Sequence, residues 1–260
     1  MKNFSLLCLT ASAALAASSA LAAPAIGLAG DTMLVMFDTD APDAATTMEI
    51  TGVTRLVGLD YRPATQTIVG VTADNVIVTI DPATGAATEL ATMDTPLEIT
   101  EAPVVVNFNP AADRLRYMTG TTNHRVHPDT GAVTVDGSLA FEDGDMHAGE
   151  APNTVAAAYT NSVGTPEKTA MFNIDATLGA LVQQTKPNDG TLKAIGKLGL
   201  EGSPATYAFD IQATGEGANT AWLVADNALY TVDLETGAAT AAGTISVDMP
   251  IRAITVMPAM

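Results

Sequence analysis

Four positions combine polar character with strand context in a way that points to one site. Asp60, Asn107 and Asp210 each sit in a short apolar run that ends at a polar corner: Leu59-Asp60-Tyr61-Arg62-Pro63, Val106-Asn107-Phe108-Asn109-Pro110 and Ala208-Phe209-Asp210-Ile211-Gln212. Thr255 takes the matching place before Val256-Met257-Pro258. Two residues on stand Arg62, Asn109, Gln212 and Met257, on the same strand face because side chains alternate with period two. If these strands circle an axis, their side chains ring one mouth of a central channel. The candidate ligand-binding residues are then Asp60, Arg62, Asn107, Asn109 and Asp210. Oxygens from Asp60, Asn107, Asp210 and, in a fourth copy, Asn161 are the candidate metal ligands, with calcium the cation they suit; no cofactor is required. The structural alternative is that such residues tie strand corners to the main chain by hydrogen bonds.

Other chemistry is sparse. His124 and His127 face opposite ways on one strand, and His147 lies in an acidic stretch, so the three histidines do not form a metal site. Asp38-Thr39-Asp40-Ala41-Pro42-Asp43 and Glu142-Asp143-Gly144-Asp145 alternate carboxylates but lack the terminal glutamate of a twelve-residue calcium loop. They read as solvated turns. There is no nucleophile elbow, P-loop or dinucleotide fingerprint.

The elements that must position the ring are repeated. Asp81-Pro-Ala-Thr-Gly85, His127-Pro-Asp-Thr-Gly131 and Asp233-Leu-Glu-Thr-Gly237 are one turn, with degenerate copies at Asp175 and Asp38. Asp or Pro opens the turn, Thr can bond the local backbone, and Gly supplies positive φ. Upstream, Val69 to Val76 and Trp222 to Ala228 each read as strand, Asp-Asn turn, strand, and Ile26 to Met33 has the same form. The unit is therefore four short strands, and its turn-opening positions 38, 81, 127, 175 and 233 lie 43 to 58 residues apart. That is the spacing of propeller blades. The first unit lacks its first strand, and Ile251–Pro258 supplies one. The expected fold is all-β: a propeller of about five four-stranded blades, closed by pairing of the N- and C-terminal strands. Another β-repeat, a solenoid, is the alternative. The fourth unit, about 154 to 199, is the least regular, and Leu139 to Asn153 reads as the longest loop. Tyr61 and Phe108 are expected to pack between blades.

Several of these segments also carry a family resemblance. Leu56-Val-Gly-Leu-Asp-Tyr-Arg-Pro63, Asp81-Pro-Ala-Thr-Gly85, Asn107-Phe-Asn-Pro-Ala-Ala-Asp-Arg-Leu-Arg116, Ala158-Tyr-Thr-Asn161, Asn188-Asp-Gly-Thr-Leu192 and Leu229-Tyr-Thr-Val-Asp233 resemble an exported bacterial family, domain of unknown function 4394. The resemblance implies a propeller-like β fold and a secreted protein. It implies no activity and no catalytic residues. His127 departs from it, where Asn or Asp is expected.

The chain begins with Lys2, a short apolar core and Ala20-Leu21-Ala22 before Ala23-Pro24, the parts of an export signal cleaved after residue 22. Residues 23–260 then form one domain, secreted or periplasmic. Its single cysteine, Cys8, leaves with the leader, so no disulfide is expected. A formal net charge of −18 argues against nucleic acid or anionic membrane as partner, and no mature segment is apolar and long enough to span a bilayer. The reading that follows is a monomeric, non-catalytic binding or scaffold propeller for an unknown small molecule or protein. The alternatives are a cation-dependent lactonase or esterase-type hydrolase working at the channel, and a structural envelope or matrix component.

Overall fold

The computed structural model describes residues 23–258 apart from 100, 101 and 216. The proposed leader lies outside the described residues. The strands run β1 Pro24–Ala29, β2 Met33–Asp38, β3 Ala41–Glu49, β4 Leu56–Arg62, β5 Thr67–Thr72, β6 Val76–Ile80 and β7 Ala87–Thr92. They continue as β8 Val104–Asn109, β9 Arg114–Thr119, β10 Thr122–Val126, β11 Val133–Val135, β12 Ala140–Phe141, β13 Thr154–Tyr159 and β14 Met171–Asp175. The last are β15 Ala180–Lys186, β16 Thr191–Lys197, β17 Tyr207–Gly215, β18 Ala218–Ala225, β19 Ala228–Val232, β20 Ala239–Thr244 and β21 Ile251–Val256.

They form five antiparallel four-stranded sheets, one of them extended by β12. The first blade is β21-β1-β2-β3, and β21 pairs antiparallel to β1 with Gly27 opposite Ile254 and Ala25 opposite Val256. The N- and C-terminal strands thus close the ring as the repeat pattern requires. Closure removes the edge that β1 would otherwise expose. The inner strands β21, β4, β8, β13 and β17 neighbour one another in that order, and β17 meets β21 again.

Five apolar clusters fill the spaces between successive blades. Leu28, Leu59, Tyr61 and Ile68 pack between the first and second, and Val57, Phe108, Leu115 and Tyr117 between the second and third. Trp222 packs with Ala25, Phe37 and Val256 between the fifth and first. Tyr61 and Phe108 therefore lie between blades. Strand alternation explains the arrangement: each sheet sends successive side chains into the clusters on its two faces.

The repeated glycine has two duties. Gly85 and Gly131 take φ of 72° and 71°. A Cβ on Gly85 would also lie 2.3 Å from the Glu49 oxygen, and one on Gly131 2.0 Å from the Thr92 oxygen, each on the preceding blade's outer strand. The turn therefore abuts its neighbour, and Asp94 N–H bonds the Gly131 oxygen at 3.0 Å.

Two details differ from the sequence reading. The degenerate turn at Asp175 joins the second and third strands of its blade, whereas the other copies join the third and fourth. Asp175 accepts Leu178 N–H at 2.9 Å, a local bond that suits any short hairpin and does not specify which one. The segment read as a loop contains β12, which pairs parallel to β16 through Ala140–Thr191 and Phe141–Leu192. Leu139 and Phe141 alternate into the cluster between the third and fourth blades, and that burial holds the extra strand.

Candidate functional site

The inner strands bring Asp60, Asn107, Asp210 and Thr255 together at the axis, where all four are buried. Each side chain reaches the main chain of the next blade. Asp60 Oδ2 accepts Phe108 N–H at 2.7 Å and Asn107 Oδ1 accepts Tyr159 N–H at 3.0 Å. Asp210 Oδ2 accepts Val256 N–H at 2.7 Å and Thr255 Oγ1 accepts Tyr61 N–H at 3.1 Å. Asn107 Nδ2 also donates to Asp210 Oδ1 at 3.4 Å. The result is a hydrogen-bonded girdle that runs in one sense around the ring. Its fourth position is Ala158, the residue before Tyr159, and Ser162 Oγ donates to Ile211 O at 2.9 Å nearby.

The girdle surrounds a void of about 10 Å³, roughly the space of a single water. A second void of about 20 Å³ lies among Leu59, Val106, Ala157, Phe209 and Ile254. The central passage is thus reduced to two small holes. Burial raises both carboxyls: Asp210 to about 6, and Asp60 well above the usual range, pushed further by the Asp210 charge.

The other sequence candidates have separate partners. Arg62 is buried and holds two aspartates, with Nε and Nη2 on Asp113 at 2.8 and 2.6 Å and Nη1 and Nη2 on Asp129 at 2.6 and 2.8 Å. Hydrogen bonds from Arg62 lower the Asp129 pKa. Asn109 caps its own corner by accepting Ala111 and Ala112 N–H. Gln212 accepts Trp222 Nε1–H and donates to Met257 O. Asn161 does not reach the girdle: it exchanges hydrogen bonds with Asn219 of the fifth blade and donates to Lys168 O. Among the described residues no group of three or more His, Cys, Asp or Glu is placed to hold a metal ion. His124 is buried, which lowers its pKa, and His147 pairs with Glu150 at 3.0 Å.

Two features escaped the sequence reading. The first is a buried network around Arg116, whose guanidinium donates to Tyr159 Oη, Asn123 Oδ1, Asp136 Oδ2 and Asn188 Oδ1 at 2.8 to 3.1 Å. It joins the third and fourth blades, and three of its members (Arg116, Tyr159, Asn188) belong to motifs already singled out.

The second is the open mouth where the inner strands begin. A cavity of about 600 Å³ there draws on all five blades: Asp31 and Arg252 from the first, Arg55 and Val57 from the second, Val104 from the third, Val155 from the fourth and Tyr207 from the fifth. Turn asparagines anchor segments that lead to it. Asn75 (φ 61°) accepts Leu97 N–H and donates to Leu97 O, two residues before Ile99 of the lining. Asn227 (φ 66°) accepts Ile251 N–H at 2.8 Å, one residue before Arg252. Arg252 lines both this cavity and the 20 Å³ void, so it forms the floor of the mouth.

Ring closure, the inter-blade girdle and one wide mouth define the molecule as a five-bladed β-propeller. The chain belongs to the family described as domain of unknown function (DUF4394), whose model matches residues 33–255. Among curated proteins none matches it. A solved structure of a protein of unknown function from Bacteroides thetaiotaomicron VPI-5482 is similar in fold: TM-score 0.53, 14% identity, 92% of this chain and 65% of that one. A protein of unknown function from Bacteroides caccae gives TM-score 0.45 at 11% identity over 84% and 72% of the two chains. An auxiliary nutrient binding protein from Bacteroides ovatus ATCC 8483 gives 0.46 at 13% identity over 80% and 56%. The chain spans less than two thirds of the first and third of these.

Proposed function

We propose that this protein is an exported, non-catalytic binding propeller that seats a small molecule in its wide mouth. One observation carries the reading: a cavity of about 600 Å³ lies on the axis and draws side chains from every blade. That volume is within the range of small-molecule sites, and the lining has the usual make-up of apolar walls with a few convergent polar groups. The girdle at Asp60, Asn107 and Asp210 favours a structural role, because each of these side chains is engaged with main chain and the void beside them is about 10 Å³.

The test is a thermal-shift screen of the mature chain against amino acids, sugars and organic acids, repeated on Ala205→Trp and Ala176→Trp. Both residues line the mouth and both lie outside the fully buried core. Hits that stabilise the wild type and vanish in the indole variants support the reading. Hits that persist unchanged in both variants refute it. Export is tested separately by N-terminal sequencing of protein recovered from the periplasm or medium, with Ala23 the expected first residue.

A further inference from the structure

Among the described residues, the side chains lining the mouth carry charge opposite in sign to the molecule as a whole. The chain has a formal net charge of −18, yet among the described residues the charged side chains lining the mouth are two arginines, Arg55 and Arg252, and one aspartate, Asp31. Arg55 and Asp31 form an exposed pair at 3.5 Å, so they largely offset each other. Arg252 stands apart. Arg62, Arg116 and Arg125 each hold an aspartate, whereas Arg252 donates to main-chain oxygens: Gly30 at 2.7 Å, Val57 at 3.2 Å and Leu56. Three carbonyls orient the guanidinium and use three of its five N–H groups. They supply no countercharge. Consistent with this, burial lowers the Arg252 pKa, the nearby Arg55 lowers it further, and Asp31 opposes them.

The acids behind the wall are committed to main-chain donors. Asp175 accepts Asn153 and Leu178 N–H, and Asp226 accepts Ala205 and Thr206 N–H. The wall itself presents Val57, Val104 and Val155. An oriented cation with no carboxylate partner among the described residues, at the floor of a valine-lined cup, is a site for an anion that has an apolar body.

We propose that the mouth selects small monocarboxylates, with the carboxylate toward Arg252 and a compact apolar body against the three valines. This rests on the binding reading above and names its ligand class. Counted over the described lining side chains, the excess is one positive charge, which matches a monoanion. A phosphate monoester near neutral pH would bring close to two negative charges into an already acidic molecule.

Titration calorimetry on the mature full-length chain at low ionic strength tests the proposal with four probes that share one alkyl chain: hexanoate, hexanamide, hexylamine and hexyl phosphate. Hexanoate should bind at least about tenfold more tightly than the other three. Asp31→Asn should tighten hexanoate several-fold by freeing Arg55, a gain that no folding defect produces. Arg252→Gln should weaken it about tenfold or more. The proposal is overturned if hexanoate does not bind, if the amide, amine or phosphate binds as well, or if Asp31→Asn leaves hexanoate affinity unchanged or reduced. A neutral probe that binds and is abolished by Ala205→Trp would retain the mouth and reject the carboxylate. Screening hits indifferent to Ala205→Trp and Ala176→Trp would instead remove the mouth itself.

Discussion

Asp60 in the second blade and Asp210 in the fifth occupy equivalent places on their inner strands, and their carboxyls face one buried void. Each accepts a main-chain N–H from the next blade. Those bonds favour the ionised form, but burial outweighs them, and both pKa values rise. Two like charges in a water-poor centre cannot both ionise cheaply.

The consequence for stability has a definite sign. A carboxyl whose folded pKa is raised holds its proton more tightly in the native state, so stability falls as pH rises from the unfolded value to the folded one. For Asp210 the window runs from about pH 4 to about 6, and the loss is on the order of 3 kcal/mol. Asp60 extends the window upward. Asp60→Asn keeps an acceptor for Phe108 and removes one of the two charges. Relative to wild type it should gain stability between pH 4.5 and 8, read from urea midpoints with the single tryptophan, buried Trp222, as reporter. A stability difference that stays flat across that range would contradict the shared burden.

Arg62 makes a second kind of inter-blade tie. Its buried guanidinium holds the corner at Asp113 and the turn at Asp129, both on the third blade, with four hydrogen bonds. Arg62→Met should lower stability by about 1–3 kcal/mol, most of it from lost charge-assisted bonds. Arg62→Lys should recover part of the charge term but not the fork geometry. Chemical denaturation measures both, and equal stability of the Met variant and wild type would mean that the aspartates gain as much from water.

Much of this architecture was legible because the repeat is spelled in residues with narrow conformational duties. The Asp-x-x-Thr-Gly turns, the Asp-Asn turns and the polar corners each recur at blade spacing, so strand order, ring closure and the meeting of Asp60, Asn107 and Asp210 followed from superposing copies. The fourth blade resisted for the same reason. Its girdle position is Ala158, a residue with no polar mark, and the nearby polar candidate, Asn161, bonds Asn219 instead. The turn at Asp175 has the right local chemistry in a different hairpin. The mouth was invisible because its inner-strand members, such as Val57, Val104 and Val155, are apolar residues indistinguishable from core and the rest come from connections that do not repeat, and Arg252 looks like any strand residue until the fold shows it held by main-chain oxygens.

The Arg116 network should be more sensitive than the Arg62 clamp. Arg116 is almost fully buried, and the Asp136 side chain beside it is also buried. Asp136→Asn leaves Arg116 without its countercharge and weakens the grip on Arg125. The expected loss is about 3–5 kcal/mol. Replacing both members of the buried pair, as Arg116→Met with Asp136→Leu, should cost less than the single change, because the unpaired charge is gone. A double variant less stable than the single one would show that Tyr159, Asn123 and Asn188, left without their donor, dominate the energy.

Ring closure makes the most direct prediction. β21 gives the first blade its inner strand: it pairs with β1 along Ala25–Val256 to Ala29–Ile251, and Met257 N–H bonds Pro24 O at 2.9 Å. Ile251, Ile254 and Val256 also fill the cluster with Trp222 that joins the fifth blade to the first. A chain ending at residue 250 exposes the edge of β1 and opens that cluster in one step. It should aggregate or lose cooperative unfolding, with Trp222 emission shifted toward that of solvated indole. A circular permutant that links Pro258 to Ala23 and begins at Val247 keeps every strand and makes the first blade contiguous. It should retain the wild-type emission and stay within about 2 kcal/mol of wild-type stability, because a short surface linker replaces a short surface connection. The two variants separate loss of the strand from loss of connectivity: a stable truncation, or a permutant that unfolds, would mean that the ring is not held shut by this pairing.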